Sequence, residues 1–375
     1  MSRNGVKRGT SEFGIVLAAE EAIRAALPDT WTLHVDPHAV RRDRRLVYGP
    51  DALFTITAPD GASAVVLIEC KGVIVPRDVR SVADQVDAYK GATEPGRRID
   101  AAMLIAPFVS PTTRSQLEQR GLGWFDSTGN LRLRMDRPAV FIDRVGADRN
   151  GFRDPADRQL KSLRGPAAAK VVLELCEIDL PVGVRELADR GRVGAATSAR
   201  VLDLLDREAL IDRGDNGAVV AVRKRQMVER WAMDYKVMTS NDVVTALDPR
   251  GLNHALEGLP ALGDSVTVTG SAAARAYLPE DMVPVSPLVS LSLYAENPVG
   301  VMADLGLRAV ERGANVLVMR PYDEVVHTKA RLVSAIRYAV PAQVVADLLT
   351  GPGRSSEEAE QLMTTLRATE PGWES

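Results

Sequence analysis

The chain has only two cysteines, Cys70 and Cys176, among 375 residues. That scarcity excludes a disulfide framework and a thiolate-built zinc site. Histidine is nearly as rare: His34, His38, His254 and His327 are scattered and form no ligand spacing. No apolar run is long enough to span a membrane. Met1 to Thr10 is polar and basic without an apolar stretch, unlike a secretory signal. The expectation is a cytoplasmic protein with no membrane partner. A formal net charge of −3 gives no overall basic signature, so nucleic-acid binding must come from local patches. Internal repeats and long low-complexity tracts are missing too. What remains is a globular composition, 45% hydrophobic and 26% charged, long enough for two or three domains.

The chemistry-bearing residues lie early. Two apolar runs, PDALFTIT and ASAVVLIECKG, flank Pro59-Asp60-Gly61. That turn predicts a hairpin between them. Side chains alternate along a strand, so Glu69 and Lys71 share one face and Cys70 packs on the other. Asp51 opens the neighbouring strand and reaches the same face. Two carboxylates and a lysine at the end of a buried hairpin are costly to place. A divalent cation held between the carboxylates would offset that cost. The next segment, PRDVRSVADQVDAY, reads as a helix with Gln85 and Tyr89 four apart on one side. AAMLIAPFV follows as a strand and PTTRSQLEQRG as a helix. On the first helix, Val16, Glu20, Ile23 and Leu27 fall at helical spacing, which places Glu20 on the buried stripe, with Glu12 in the same phase.

Pro50-Asp51 followed by Glu69-x-Lys71 resembles the PD-(D/E)XK nuclease superfamily. Gln85 and Tyr89 look like the QxxxY element of its RecB-type members. WFDSTGNLRL is similar to a segment of prokaryotic members. The resemblance covers roughly residues 10 to 145. It implies a restriction-endonuclease-like αβββαβ domain over residues 1–147 and magnesium- or manganese-dependent hydrolysis of DNA. Asp51 and Glu69 would be metal ligands, with the Cys70 carbonyl as a third. Lys71 would orient or deprotonate the attacking water and stabilise charge on phosphorus. A first-helix carboxylate completes many such sites. Glu12, Glu20 and Glu21 compete for that place, and Glu20 is preferred.

DRVGADRNGFRDPADRQ is charged, holds Gly and Pro and lacks periodicity, so it reads as a linker. Residues 160–226 then read as a winged helix-turn-helix. GPAAAKVVLELCEID carries an apolar stripe, PVGVRELADRGRV a second helix, and Gly194-Ala195-Ala196 a turn. Thr197-Ser198-Ala199-Arg200 opens a third helix, and Asp215-Asn216-Gly217 joins two wing strands. The order resembles the winged-helix domains of bacterial regulators, with Ala209 where glycine is usual. Docking in the major groove would present Thr197, Ser198 and Arg200 to DNA. Arg192, Arg223, Lys224 and Arg225 would grip phosphates. The opposing residues Glu186, Asp189, Asp203 and Asp206 leave protein contact as the competing use.

Residues 227–375 read as an α/β domain. SVTVTGSAAARAYLP is a strand, a Gly270-Ser271 turn and a helix. PLVSLSLYAEN and ANVLVMRP are further strands, and Ser355 or Ser356 caps the final helix. TGSAAARAYLP, and the stretch from Pro341-Ala342-Gln343 through Asp347 to Gly353-Arg354, resemble AbiE-type antitoxins and regulators. That likeness covers roughly residues 160 to 365. The strand–Gly–Ser opening is also similar to nucleotidyltransferase domains, but PLVSLSLYAEN lacks their paired carboxylates. The expectation is therefore an α/β multi-domain protein with one of two functions. One is a Mg2+- or Mn2+-dependent DNA endonuclease brought to DNA by a winged helix, in defence or mobile-element control. The other is an AbiE-like antitoxin or transcriptional regulator, a homodimer or a toxin partner, whose nuclease fold is an inert binding module.

Overall fold

The computed structural model describes residues 12–36, 50–92, 98–148, 150 and 159–374. The chain is α/β throughout and divides into two compact units, Met1–Arg158 and Gln159–Ser375. The charged segment read as a linker straddles that division, and its residues 149 and 151–158 lie outside the described ones.

The first unit runs α1 (Glu12–Arg24), β1 (Thr32–Asp36), β2 (Ala52–Thr57), β3 (Ser63–Cys70), α2 (Val79–Ala92), β4 (Ala101–Ala106), α3 (Pro111–Gln119), β5 (Gly123–Asp126), β6 (Leu131–Asp136) and β7 (Ala139–Arg144). The seven strands form one sheet in sequence order. β1, β2 and β3 are antiparallel neighbours, and β3, β4 and β5 run parallel. The Pro59-Asp60-Gly61 hairpin forms as expected, with Thr57 opposite Ser63 and the Asp60 carboxylate accepting from Ala62 N–H. Alternation sorts the strands' apolar side chains onto two faces. Phe54, Ile56, Val66, Ile68, Cys70 and Ile105 pack with Ile15, Val16, Ala19 and Ile23 of α1. Leu53, Leu67 and Leu104 pack with Val82, Val86 and Tyr89 of α2 and Leu117 of α3. Ser110 caps α3 through its hydroxyl, followed by Pro111, which needs no N–H there.

The second unit begins with α4 (Pro166–Glu177), α5 (Val184–Arg190) and α6 (Ala195–Arg207), followed by the hairpin β8 (Ile211–Arg213) and β9 (Val219–Val222). α6 starts two residues earlier than the sequence reading, with Gly194 as its N-cap. Ala209 stands in the left-handed region at φ 56°, which accounts for a glycine preference there. α7 (Lys224–Asp234), α8 (Val237–Ser240), β10 (Asp242–Leu247), α9 (Leu252–Leu262), β11 (Val266–Thr269), α10 (Gly270–Ala276), β12 (Leu291–Ala295) and α11 (Pro298–Asp304) follow. The chain then forms β13 (Arg308–Ala309), β14 (Val316–Arg320), α12 (Val325–Thr328), β15 (Arg331–Val333), β16 (Ile336–Tyr338), α13 (Pro341–Thr350) and α14 (Ser355–Thr369). Its sheet has the order β13-β10-β14-β12-β11-β16-β15, mixed in direction. Gly270 takes φ +63°, and a Cβ there would crowd Ser292 at 3.3 Å, so both turn and close approach require glycine. Arg354, not a serine, stands at the α14 N-cap and makes no side-chain cap bond. One hydrophobic core runs from Leu163 to Trp373. The region from α4 to β9 and the following sheet thus belong to one unit with a shared core, without a boundary at 226/227.

Candidate active site

The hairpin and α2 bring five of the sequence-selected residues into one connected group. Asp51 N–H donates to the Ile68 carbonyl at 3.0 Å, which extends the β2–β3 pairing to the strand end. Its carboxylate Oδ2 accepts from Cys70 N–H at 2.7 Å. Asp51 is therefore held beside the Glu69-Cys70-Lys71 backbone. Lys71 Nζ donates to Glu69 Oε1 at 2.7 Å and to Gln85 Oε1 at 3.4 Å. Gln85 Nε2 donates in turn to the Tyr89 hydroxyl. The i, i+4 spacing on α2 makes that last contact.

Glu69 is only 3% exposed, and its Oε2 is buried with no hydrogen-bond partner. Burial raises its pKa above the ordinary carboxylate value; the Lys71 hydrogen bond opposes the shift and the Asp51 charge adds to it. Burial works against the Lys71 ammonium, but the bond and charge of Glu69, with Asp51 behind them, outweigh it and raise its pKa. Lys71 is thus held as a cation. Burial also raises the Tyr89 phenol, which stays neutral.

Cys70 faces the opposite side of β3, in the α1 layer, as the alternation required. Its backbone N–H already serves Asp51. Glu20 is not brought into the group. It pairs with Arg24 at 2.7 Å, on the helix that covers the face opposite Glu69. Glu21 is exposed, and the Glu12 side chain lies outside the described residues. Among the described residues, no three or more His, Cys, Asp or Glu side chains converge as a ready-made metal cage. A magnesium-type cation does not need one. It takes few protein ligands and keeps several waters. Two carboxylates, one with a buried oxygen lacking any donor, fit that requirement.

Within WFDSTGN, the end of β5 and the turn after it, through Asn130, are held by a set of side-chain hydrogen bonds. Asp126, at the end of β5, accepts from Thr128 N–H at 2.9 Å, Asn130 Nδ2 at 2.9 Å and Val109 N–H at 3.0 Å. Asn130 also takes Arg114 Nη1 at 2.6 Å and Gly146 N–H at 2.8 Å. These bonds fix the loop, although Arg114 Nε is buried without a partner.

The residues expected to meet DNA on the second unit divide. Arg192 and Arg200 are exposed; Arg192 lies 3.8 Å from Glu324, and Arg200 bonds the Ala196 carbonyl of its own helix. Thr197 is half-buried. Ser198 is fully buried on the same helical stripe as Val201, Leu202 and Leu205, so it has no access to a groove. Arg223 pairs with Asp212 at 2.9 Å, and Arg225 pairs with Glu229 and Glu360. Lys224 and Arg225 begin α7 and are not on the hairpin. Two of the three cations expected on the wing, Arg223 and Arg225, are therefore held in local ion pairs.

A second polar centre in this unit escaped the sequence reading. Asp347 is buried and accepts from Tyr235 at 2.7 Å, Tyr294 at 2.8 Å, Gln343 at 2.8 Å and Thr269. Burial pushes its carboxyl up to about 6, against the lowering effect of these four bonds. Its donors come from α7, β11, β12 and α13, so no local pattern announced it.

No family model, curated protein or solved structure matches the chain.

Proposed function

We propose that the Met1–Arg158 unit is a metal-dependent nuclease of the PD-(D/E)XK type that hydrolyses DNA phosphodiesters. The observation that carries this reading is the hydrogen-bonded chain Glu69, Lys71, Gln85 and Tyr89, with Asp51 held beside it by the Cys70 N–H and one buried Glu69 oxygen left without a partner. The element order α1-β1-β2-β3-α2-β4, with β3 and β4 parallel, is the αβββαβ order the resemblance calls for.

Asp51 and Glu69 would hold Mg2+ or Mn2+. When bound, the ion supplies a Lewis acid for the scissile phosphate and an acidified water. Lys71, held as a cation, donates hydrogen bonds to the charge that builds on the phosphoryl oxygens. Gln85 positions the ammonium, and Tyr89 positions Gln85. Glu20 has no part in this assignment.

The Gln159–Ser375 unit supplies DNA binding through the exposed start of α6 and Arg192. A regulator of the antitoxin type, with a toxin partner, is the second reading. It is favoured by the single core that joins the helix-turn-helix to the following sheet. A nicking assay with supercoiled and single-stranded DNA separates the two. The nuclease reading expects cleavage that needs Mg2+ or Mn2+ and vanishes in Asp51→Ala. Intact DNA in every form and metal would leave the regulator reading.

A further inference from the structure

A cavity of about 630 Å³ lies within the second unit, where the end of α4, the β8–β9 hairpin, the start of α7 and the segment 371–374 meet. Small-molecule sites span roughly 300–1,000 Å³, so the space suits a small ligand. Ile178, Leu180, Val222 and Pro371 give it apolar walls. Its described lining also holds the carboxylates of Glu177, Asp179, Asp212 and Glu374 and the cations Arg223 and Lys224.

Some of these charges are already matched. Arg331, which does not line the cavity, donates from Nη2 to both Glu177 oxygens at 3.0 Å. Arg223 Nη2 donates to the two Asp212 oxygens at 3.0 and 2.9 Å. Glu374 Oε2 accepts from Gly372 N–H at 2.9 Å. Lys224 and Asp179 are different. Among the described residues, neither side chain makes an ion pair or a hydrogen bond, and Asp179 is exposed. Lys224 opens the eleven-residue helix α7, whose N-cap Arg223 makes no side-chain cap bond. The Lys224 ammonium and the positive start of α7 suit an anionic group. The Asp179 carboxylate suits a cationic one. A polyanion such as a nucleotide would meet the lining carboxylates, and a polyamine would meet Lys224 and Arg223.

We propose that this cavity binds a small zwitterion with an apolar body, an amino-acid or short-peptide ligand. Its carboxylate pairs with Lys224, its ammonium with Asp179, and its apolar body lies on Ile178, Leu180 and Val222. The hairpin, α7 and the segment 371–374 share the site, so an occupant holds them together. The proposal is independent of the nuclease and DNA-binding readings.

The probe is leucyl-leucine, titrated calorimetrically into the full-length protein. Its N-acetylated form lacks the ammonium, and its C-terminal amide lacks the carboxylate. The zwitterion should bind, and each blocked form should bind about tenfold more weakly, the loss of one charge-assisted contact. Lys224→Gln should weaken the zwitterion about tenfold and leave the amide unchanged, because the amide has no carboxylate to lose. Asp179→Asn should weaken the zwitterion to a similar extent and leave the N-acetylated form unchanged. Lys224→Arg keeps the charge and should keep the binding. In the unaltered protein, the dipeptide should slow hydrogen exchange in β9 and the first turn of α7. No binding at millimolar dipeptide, or binding that Lys224→Gln and Asp179→Asn both leave intact, would overturn the site. Tighter binding of inorganic phosphate or of spermidine than of the dipeptide would overturn the ligand class.

Discussion

Removing the Lys71 ammonium tests how the buried Glu69 carboxylate is tolerated. Lys71→Ala deletes a 2.7 Å hydrogen bond to a side chain that is 5% exposed and already has one oxygen without a donor. A hydrogen bond to a charged group contributes ~1.5–3 kcal/mol. The Lys71 side chain is 33% exposed, so solvent screens part of this. We expect a local cost of about 1–2 kcal/mol near pH 8. The sign with pH follows from Glu69, whose folded pKa is raised. Its charge costs the folded state most above that raised pKa, and the cost fades as pH falls and the carboxyl protonates. The penalty of Lys71→Ala should therefore be smaller in acid than near pH 8. On a Glu69→Gln background the same change should cost less than ~0.5 kcal/mol, since no buried charge is stranded. Two compact units make global melting a poor readout. Hydrogen exchange of the β3 and α2 amides in the intact chain reports the local opening energy instead. An equal penalty at both pH values, or an undiminished penalty in the Glu69→Gln background, would refute the electrostatic reasoning.

Three further outcomes are expected. Ala209→Gly should stabilise the second unit by about 0.5–1 kcal/mol, read by hydrogen exchange of the α6 amides, because relief of left-handed strain exceeds the added chain entropy. The Asp347 carboxyl, raised from 3.8 to about 6, gives stability that is full at low pH and lost as pH rises through its folded pKa, a drop of ~3 kcal/mol. Asp347→Asn should flatten that pH dependence in urea titrations and lower stability, since its amide N–H2 would face hydroxyl donors. In mobility shifts, Arg200→Ala should weaken DNA binding by ~1–3 kcal/mol if it reads a base, whereas Arg223→Ala should change affinity little because Asp212 already holds Arg223.

The local parts of this molecule were legible in its sequence for identifiable reasons. Strand alternation placed Glu69 and Lys71 together and Cys70 opposite, and helical spacing joined Gln85 to Tyr89. The hairpin turn carried Asp51 to the same strand end. Glu20 failed because helical phase tells which side of a helix is buried, not which face of the sheet the helix covers. Ser198 failed because it stands three, four and seven residues before Val201, Leu202 and Leu205, on the buried stripe of α6. Arg223 and Arg225 read as free cations because their partners, Asp212 and Glu360, are set by tertiary packing. The Asp347 centre was invisible because its donors are drawn from segments up to 112 residues away. The separate domain expected after residue 226 dissolves for the same reason, since α7 packs on both α4 and α13.

In the proposed reading Asp51 and Glu69 hold a divalent cation and Lys71 serves it. Calorimetric titration of the full-length protein with Mn2+ decides this. One site is expected, lost in Asp51→Ala and retained in Lys71→Ala. A titration of the unaltered protein with no binding, or binding that Asp51→Ala leaves intact, would contradict it.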